Sequence, residues 1–496
     1  MKRKILVLFL SSIFVSNIFS SVAFANNVLD TKDNSGVQIF NEVSTGSKYH
    51  RIPAMYTLSD GTVFSTIDAR FGSEADSPNN IDIALMTLKD NNWSLASFPY
   101  YFGDYSNKSG RASNSASFID TNIVQGLDNK IHLTVDVFPS GYGYPNAKAG
   151  TGYKTIDGEK YLALTRDKDT TNFKNFNYYI KDNIIFDDNG NDTGYSVDGY
   201  FNLYRNKEPL KVRQKNADGS FTNKEVPMNI FYENSVFKVF STSYMWTITS
   251  NDGGKTWSEP VCLNYLKREN ERFMGTGPGR GLTITEGKYK GRILIPIYDS
   301  EDGERCSVIY SDDNGETWNR GNRVTLSEED SPGKASESQL IQLPDGTVRV
   351  YARGSSGYIG YADSFDGGVT FEPLKEDKNL PYGHSGYGCM ISVINYSEKI
   401  DGKDAIILSS PEGPNRNNGV IRVGLINEYK DSNGKIRYNV DWKYKKTVND
   451  GEFQYSCLTE LPNKDIAIMY ETAPNGSKSI YKTYTLSELK NVVEQN

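Results

Sequence analysis

The feature that most constrains the fold is an eight-residue pattern written three times: Ser250-Asn251-Asp252-Gly253-Gly254-Lys255-Thr256-Trp257, Ser311-Asp312-Asp313-Asn314-Gly315-Glu316-Thr317-Trp318 and Ser364-Phe365-Asp366-Gly367-Gly368-Val369-Thr370-Phe371. The recurrence of its aspartates at 252, 313 and 366 is the spacing of one four-stranded propeller blade per copy. Within each copy Asp can bond its local backbone, Gly supplies positive φ, and the closing aromatic pins the turn to a core. These aspartates therefore read as folding elements, not as catalytic acids. A fainter copy falls at Asp90 to Trp93. Short β-branched and aromatic runs, such as Thr62 to Ile67, Arg292 to Tyr298 and Ala405 to Leu408, lie between the turns, and helical periodicity is confined to Leu486 to Val493. The chain is expected to be all-β.

A second repeat bears on function. Leu58-Ser59-Asp60-Gly61-Thr62-Val63 resembles Leu343-Pro344-Asp345-Gly346-Thr347-Val348 and, more loosely, Leu461-Pro462-Asn463-Lys464-Asp465-Ile466. Each reads as strand, two-residue turn, strand. That geometry predicts Arg51 opposite Arg70, and Glu337 within one position of Arg353. Tyr455 precedes Leu461 by the same interval at which Glu337 precedes Leu343. Arg51, Glu337 and Tyr455 thus occupy similar places in three units, which would converge at one end of a channel if the units ring an axis.

From 145 to 238 the rhythm breaks, with polar stretches such as Asp187 to Asp192 and Arg213 to Gly219 between apolar runs. The expectation is an inserted, mainly β subdomain, against the plainer reading of long surface loops.

Bulk properties narrow the classes. Lys2, Arg3 and Lys4, an apolar run from Ile5 to Val15 and the small-residue exit Ala23-Phe24-Ala25 describe a secretory signal peptide over residues 1–25. No later run is long enough to span a bilayer, so a released, extracellular protein without a membrane anchor is expected. Cys262, Cys306, Cys389 and Cys457 lack paired spacing, and His50, His132 and His384 are too scattered for a metal cluster. No metal or other cofactor is expected. A net charge of -7 and a pI near 5.4 argue against nucleic acid or anionic membrane as general partner.

The opening Tyr49-His50-Arg51-Ile52-Pro53, with His50 where an aromatic is commoner, and the three aspartate turns in order together resemble the bacterial sialidase family from about Val37 to Tyr484. The resemblance implies a six-bladed β-propeller over 37–490 that removes terminal sialic acid by retaining hydrolysis. It implies that Arg51, Arg353 and Arg416 grip the sugar carboxylate, a task suited to planar, permanently charged forks. It implies that Tyr455 is the nucleophile, polarised by Glu337, since a neutral phenol approaches an anionic anomeric centre without the repulsion a carboxylate would meet. Asp76 matches the general acid/base, with Glu74 its competitor in the loop. Arg70 and Asp120 resemble contacts to a ring hydroxyl, and Ile119 a wall of the N-acetyl pocket. Tyr142, Tyr144, Tyr244 and Trp246 could border the site, although core packing is the better reading for each.

Sialylated glycoproteins, glycolipids or oligosaccharides are the implied partners, no nucleic acid among them, and a monomer is the expected state. With the Arg-Ile-Pro motif so close to the signal peptide, substrate capture is expected to rest on the catalytic domain. Two rivals stand beside hydrolysis. An intramolecular trans-sialidase, in which the sugar's own glycerol hydroxyl resolves the intermediate, would use nearly the same residues but is expected to carry a bulky aromatic over the aglycone site. Glu471-Thr472-Ala473-Pro474-Asn475-Gly476 contains no Trp, which favours hydrolysis. A non-catalytic sialic-acid lectin would keep the arginines but need not keep Asp76, Glu337 and Tyr455 together.

Overall fold

The computed structural model describes residues 36–102, 115–215, 220–329, 332–381 and 387–491; the leader-like residues 1–25 and His384 lie outside them. Six mainly antiparallel sheets follow one another along the chain as blades of a propeller. Their innermost strands are Tyr49–Thr57, Ser117–Gln125, Met274–Thr276, Ser338–Gln342, Ser392–Ile400 and Ser456–Glu460. The ring is tied across blade boundaries near the axis: Thr57 N donates to Thr459 Oγ1 at 3.0 Å, Asn122 Nδ2 to Gly277 O at 2.8 Å and Gln342 N to Asn395 Oδ1 at 2.9 Å. Val37 bridges to Tyr481, so the amino-terminal segment completes the three-stranded last blade.

The aspartate turns do the mechanical work expected of them. Asp252, Asp313 and Asp366 each accept from the backbone amide and hydroxyl of the threonine four residues on, at 2.8–2.9 and 2.6 Å. The leading serine of each copy accepts from the glycine amide inside the turn. The fainter copy is a plain hairpin, with Asp90 and Asn91 left-handed and Lys89 paired to Asn92.

The hairpin repeat corrects one expectation. Leu58 pairs with Thr62 and Gly61 N donates to Leu58 O, so the loop has three residues and not two; Gly61 takes φ 81° to allow it. A second irregularity at Ile52, φ 59°, shifts the register again, and Arg51 faces Asp68 while Arg70 faces Tyr49. Arg51 and Arg70 are therefore not opposite one another. The later copies close by the same three-residue loop, without a bulge, and place Glu337 across from Arg353 and Tyr455 across from Glu471.

Residues 139–243 intervene between two neighbouring strands of the second blade, Ile131–Phe138 and Tyr244–Ser250. Within this segment lie an eight-stranded sheet from Tyr153–Ile156 to Lys238–Val239 and a hairpin of Lys211–Lys215 with Phe221–Pro227. Its apolar side chains share one continuous core with the blade: Phe201 and Phe231 each pack 5.0 Å from Trp246, which also meets Phe118. Trp246 and Tyr244 are core residues, 2% and 0% exposed. Near the end of the described chain, Leu486–Lys490 forms a helix capped by Thr485 and Glu488, with Leu489 buried. All four cysteines are buried free thiols.

Candidate active site

One end of the propeller holds a cavity of about 360 Å³ lined by Arg51, Asp76, Ile119, Asp120, Glu337, Arg353, Arg416 and Tyr455. They arrive from five blades. Glu337 and Tyr455 stand immediately before the innermost strands of the fourth and sixth blades, Arg416 sits in a turn of the fifth, Asp120 in a bulge of the second, and Arg51 and Asp76 in the first.

At the floor the Tyr455 hydroxyl donates to Glu337 Oε1. Arg353 Nη1 bridges the pair, donating to Tyr455 Oη at 2.9 Å and to Glu337 Oε2 at 2.5 Å. Burial and the neighbouring Glu337 carboxylate raise the Tyr455 phenol well above its ordinary pKa, although Arg353 and Arg416 pull the other way. The resting phenol is thus neutral, with its proton aimed at a carboxylate.

Three guanidiniums surround that oxygen. Arg51 and Arg416 each sit 5.5 Å from the Tyr455 ring centre. Arg51 Nη2 donates to Glu471 Oε2 at 3.0 Å; the same carboxylate accepts from the amides of Ile52 at 2.6 Å and Tyr455 at 3.2 Å. Arg353 Nε donates to Tyr387 O, and Arg416 donates to Gly388 O, so one dipeptide orients two of the cations. The Tyr387 ring lies 5.1 and 5.0 Å from those two guanidiniums at the cavity mouth. Arg416 has no acid within ion-pair distance among the described residues; its remaining side-chain partner is Gln454.

Asp76 occupies the rim, its side chain 63% exposed, 2.7 Å from Arg70 and 3.7 Å from Arg51. Burial pushes its carboxyl up, and Arg70, Arg51 and Arg416 together outweigh that and hold it below the usual range. Its loop is seated by a close backbone approach: a Cβ on Gly143 would stand 1.8 Å from Ser77 O. Glu74 contributes its carbonyl to Arg70 Nη1 and does not line the cavity.

Arg70 is fully buried, lies outside the cavity lining, and donates through Nη1 and Nη2 to Asp76, Glu74 O and Asp68. Its cavity-side partner is Asp76. Asp120 does face the cavity, with φ 63°, and burial beside Asp136 and Asp68 raises its carboxyl well above the ordinary range.

Glu471 is the main residue that sequence reasoning missed, and its signal was available, since it lies across from Tyr455 as Arg353 lies across from Glu337. Tyr387 was missed too. So was the far wall, where Phe273 packs against Tyr144 and Tyr298 at 5.0 and 4.8 Å. There Glu304 accepts from Tyr144 Oη at 2.9 Å and pairs with Lys334 at 2.7 Å. Tyr144 therefore borders the site; Tyr142 does not line it. His50 and His132 are buried away from the cavity, bonded to Thr45 and packed on Trp318 respectively.

Residues 220–468 match a BNR repeat-like domain. The chain is 37% identical over 479 residues to an anhydrosialidase of Macrobdella decora and 35% identical over 465 residues to sialidase B of Streptococcus pneumoniae. These alignments cover 90% and 88% of this chain but only 62% and 63% of those proteins. Among solved structures, an intramolecular trans-sialidase from Ruminococcus gnavus, in complex with oseltamivir carboxylate, superposes with a TM-score of 0.84 at 35% identity, covering 91% of this chain and 98% of that one. The leech intramolecular trans-sialidase complexed with 2,7-anhydro-Neu5Ac superposes equally well at 36% identity, over 92% of this chain and 71% of that one.

Proposed function

The chain belongs to the sialidase family, and from that premise we propose that it is an intramolecular trans-sialidase, releasing terminal sialic acid from sialylated glycoproteins, glycolipids or oligosaccharides as an anhydro sugar. This revises the hydrolytic expectation. The observation that carries the chemistry is the Tyr455–Glu337 pair set among three guanidiniums. What favours internal transfer over hydrolysis is similarity across nine tenths of the chain to proteins that bear that activity's name.

Arg51, Arg353 and Arg416 take the sugar carboxylate, and Arg416, which has no acid of its own, offers it the least contested fork. The Tyr455 oxygen attacks the anomeric carbon while its proton passes to Glu337. Asp76 protonates the departing glycosidic oxygen, leaving a sialyl-tyrosine. Asp76 then accepts the proton of the substrate's own glycerol hydroxyl as that oxygen attacks the anomeric carbon. The carbon–phenol bond breaks, and Tyr455 recovers its proton from Glu337. Asp76 must be protonated for the first step, yet Arg70, Arg51 and Arg416 hold its carboxyl below the usual range. A bound carboxylate that neutralises Arg51 and Arg416 and displaces water lifts it toward the acid form. Asp120 bonds a ring hydroxyl, and Ile119 lines the N-acetyl pocket.

One observation favours hydrolysis as the second reading: no tryptophan is among the described residues that line the cavity. Incubation with 3′-sialyllactose followed by proton NMR decides between them. A 2,7-anhydro product supports internal transfer; free sialic acid as the first product overturns it. A lectin reading predicts no turnover by wild type, whereas the enzyme reading predicts turnover that Tyr455→Phe abolishes. The leader-like residues 1–25 fit export, and a monomer is the state proposed. Fractionation and light scattering test that placement.

A further inference from the structure

The inner strands that bring residues to the catalytic cavity run on to a second cavity at the opposite end of the channel. The first strand carries Arg51 near one end and Tyr56 near the other, and in the fourth blade Glu337 is followed by Gln342. Five residues of strand separate the members of each pair, roughly 16 Å at about 3.3 Å per residue. The second cavity is about 510 Å³, ample for a mono- or disaccharide.

At its inner end stands Arg280, half-buried beside the channel axis, its guanidinium stacked 4.7 Å over the Tyr56 ring. Among the described residues it makes no ion pair and no side-chain hydrogen bond. In the catalytic cavity every cation but one has an acid, Arg51 with Glu471, Arg353 with Glu337 and Lys334 with Glu304, and the exception is Arg416. Arg280 is the second cavity's Arg416. A partly desolvated guanidinium without a counter-charge is unfavourable by itself, and a carboxylate from outside offsets that cost through a bidentate bond. The acids of this cavity, Glu286 and Asp404, lie at its exposed rim, and Asp404 is already paired with Lys399. There they can accept from sugar hydroxyls without confronting the guanidinium.

We propose that this cavity is a second, non-catalytic binding site for a carboxylate-bearing sugar at the end of a glycan, seated by Arg280. For the identity of that sugar the proposal rests on the function proposed above. Such a site would hold a multiply sialylated carrier at one end of the channel while a neighbouring molecule works at the other.

Calorimetric titration of Tyr455→Phe protein with 3′-sialyllactose tests it, since that variant cannot form the covalent intermediate. Two binding events per chain are expected, and adding Arg280→Gln should remove one. Arg280→Lys keeps the packing over Tyr56 and the charge but loses the fork, and should weaken that event at least tenfold. Lactose, lacking the carboxylate, should give neither event. A single event per chain, two events indifferent to Arg280→Gln, or an undiminished event with Arg280→Lys overturns the proposal. In the otherwise wild-type chain Arg280→Gln should leave turnover of a small fluorogenic sialoside unchanged. Absence of turnover in wild type would count against the catalytic reading alone, because the titration counts sites without it.

Discussion

Glu471 lies across its hairpin from Tyr455 and is bonded to it twice: its amide donates to the Tyr455 carbonyl at 2.9 Å, and its Oε2 accepts from the Tyr455 amide at 3.2 Å. The same fully buried carboxylate takes Arg51 and the Ile52 amide. One acid therefore fixes the backbone of the proposed nucleophile and one of the three cations around it. Taking away one member of a buried charge pair strands the other, at a cost of about 3–5 kcal/mol. If Arg51 takes the substrate carboxylate as proposed, Glu471→Gln is expected to lower kcat/KM on the order of 100-fold, chiefly through KM. Steady-state kinetics with a fluorogenic sialoside check this, and an unchanged KM would show that Arg51 holds its place without Glu471.

Arg70 makes the pH dependence of the reaction a matter of one neighbouring charge. Burial raises the Asp76 carboxyl, and Arg70 leads the cations that bring it below its usual range. A group with a depressed pKa stays ionised down to lower pH, so the free protein carries the acid form of Asp76 only in acid solution. The alkaline limb of kcat/KM, which reports the free protein, should lie at lower pH than the limb of kcat, which reports the complex. Removing a positive charge raises a nearby carboxyl. Arg70→Met should therefore move the kcat/KM limb to higher pH. Paired pH profiles of wild type and variant measure the shift, and coincident limbs would remove Asp76 from the role of acid.

Asp313 separates folding from chemistry. Its carboxylate accepts from Ser311 Oγ, Thr317 N and Thr317 Oγ1 in an exposed turn far from the cavity lining. Asp313→Ala removes three bonds that hold the turn, each contributing about 0.5–1.5 kcal/mol in general. The melting temperature should fall by a few degrees with kcat/KM within about twofold of wild type. A variant that kept its melting temperature and lost activity would contradict the reading of this turn as purely structural.

What was legible in the chain follows the range of the forces involved. The aspartate turns could be read because their hydrogen bonds span four residues, and the facing of Glu337 with Arg353 because both lie on one hairpin. The register of Arg51 was misread because a left-handed Gly61 and a bulge at Ile52 each move the pairing by one residue, and a two-residue turn template contains neither. The continuity of the inserted sheet with the second blade rests on Phe118, Phe201 and Trp246, contacts between residues far apart in the chain that no local pattern announces. Tyr387 and the wall of Phe273 and Tyr298 belong to the same class.

Gly143 offers the sharpest test of how the acid loop is held. It stands at the root of the inserted segment, and a Cβ there would meet Ser77 O at 1.8 Å, Ser77 C at 2.2 Å and Pro78 N at 2.7 Å, all backbone atoms. Backbone cannot turn aside as the end of a flexible side chain can, so Gly143→Ala must move the 73–79 loop that carries Asp76. Asp76 is bound to its surroundings mainly by Arg70, while Tyr455, Glu337 and the three guanidiniums are fixed by other blades. The substitution should therefore lower kcat by about 10²-fold, the scale of a misplaced proton donor, and leave KM within severalfold. The loss should shrink for sialosides whose leaving group is acidic enough to depart without protonation. Comparing a nitrophenyl sialoside with 3′-sialyllactose reads that difference directly, and an equal loss on both substrates would mean that the inserted segment does not hold the acid.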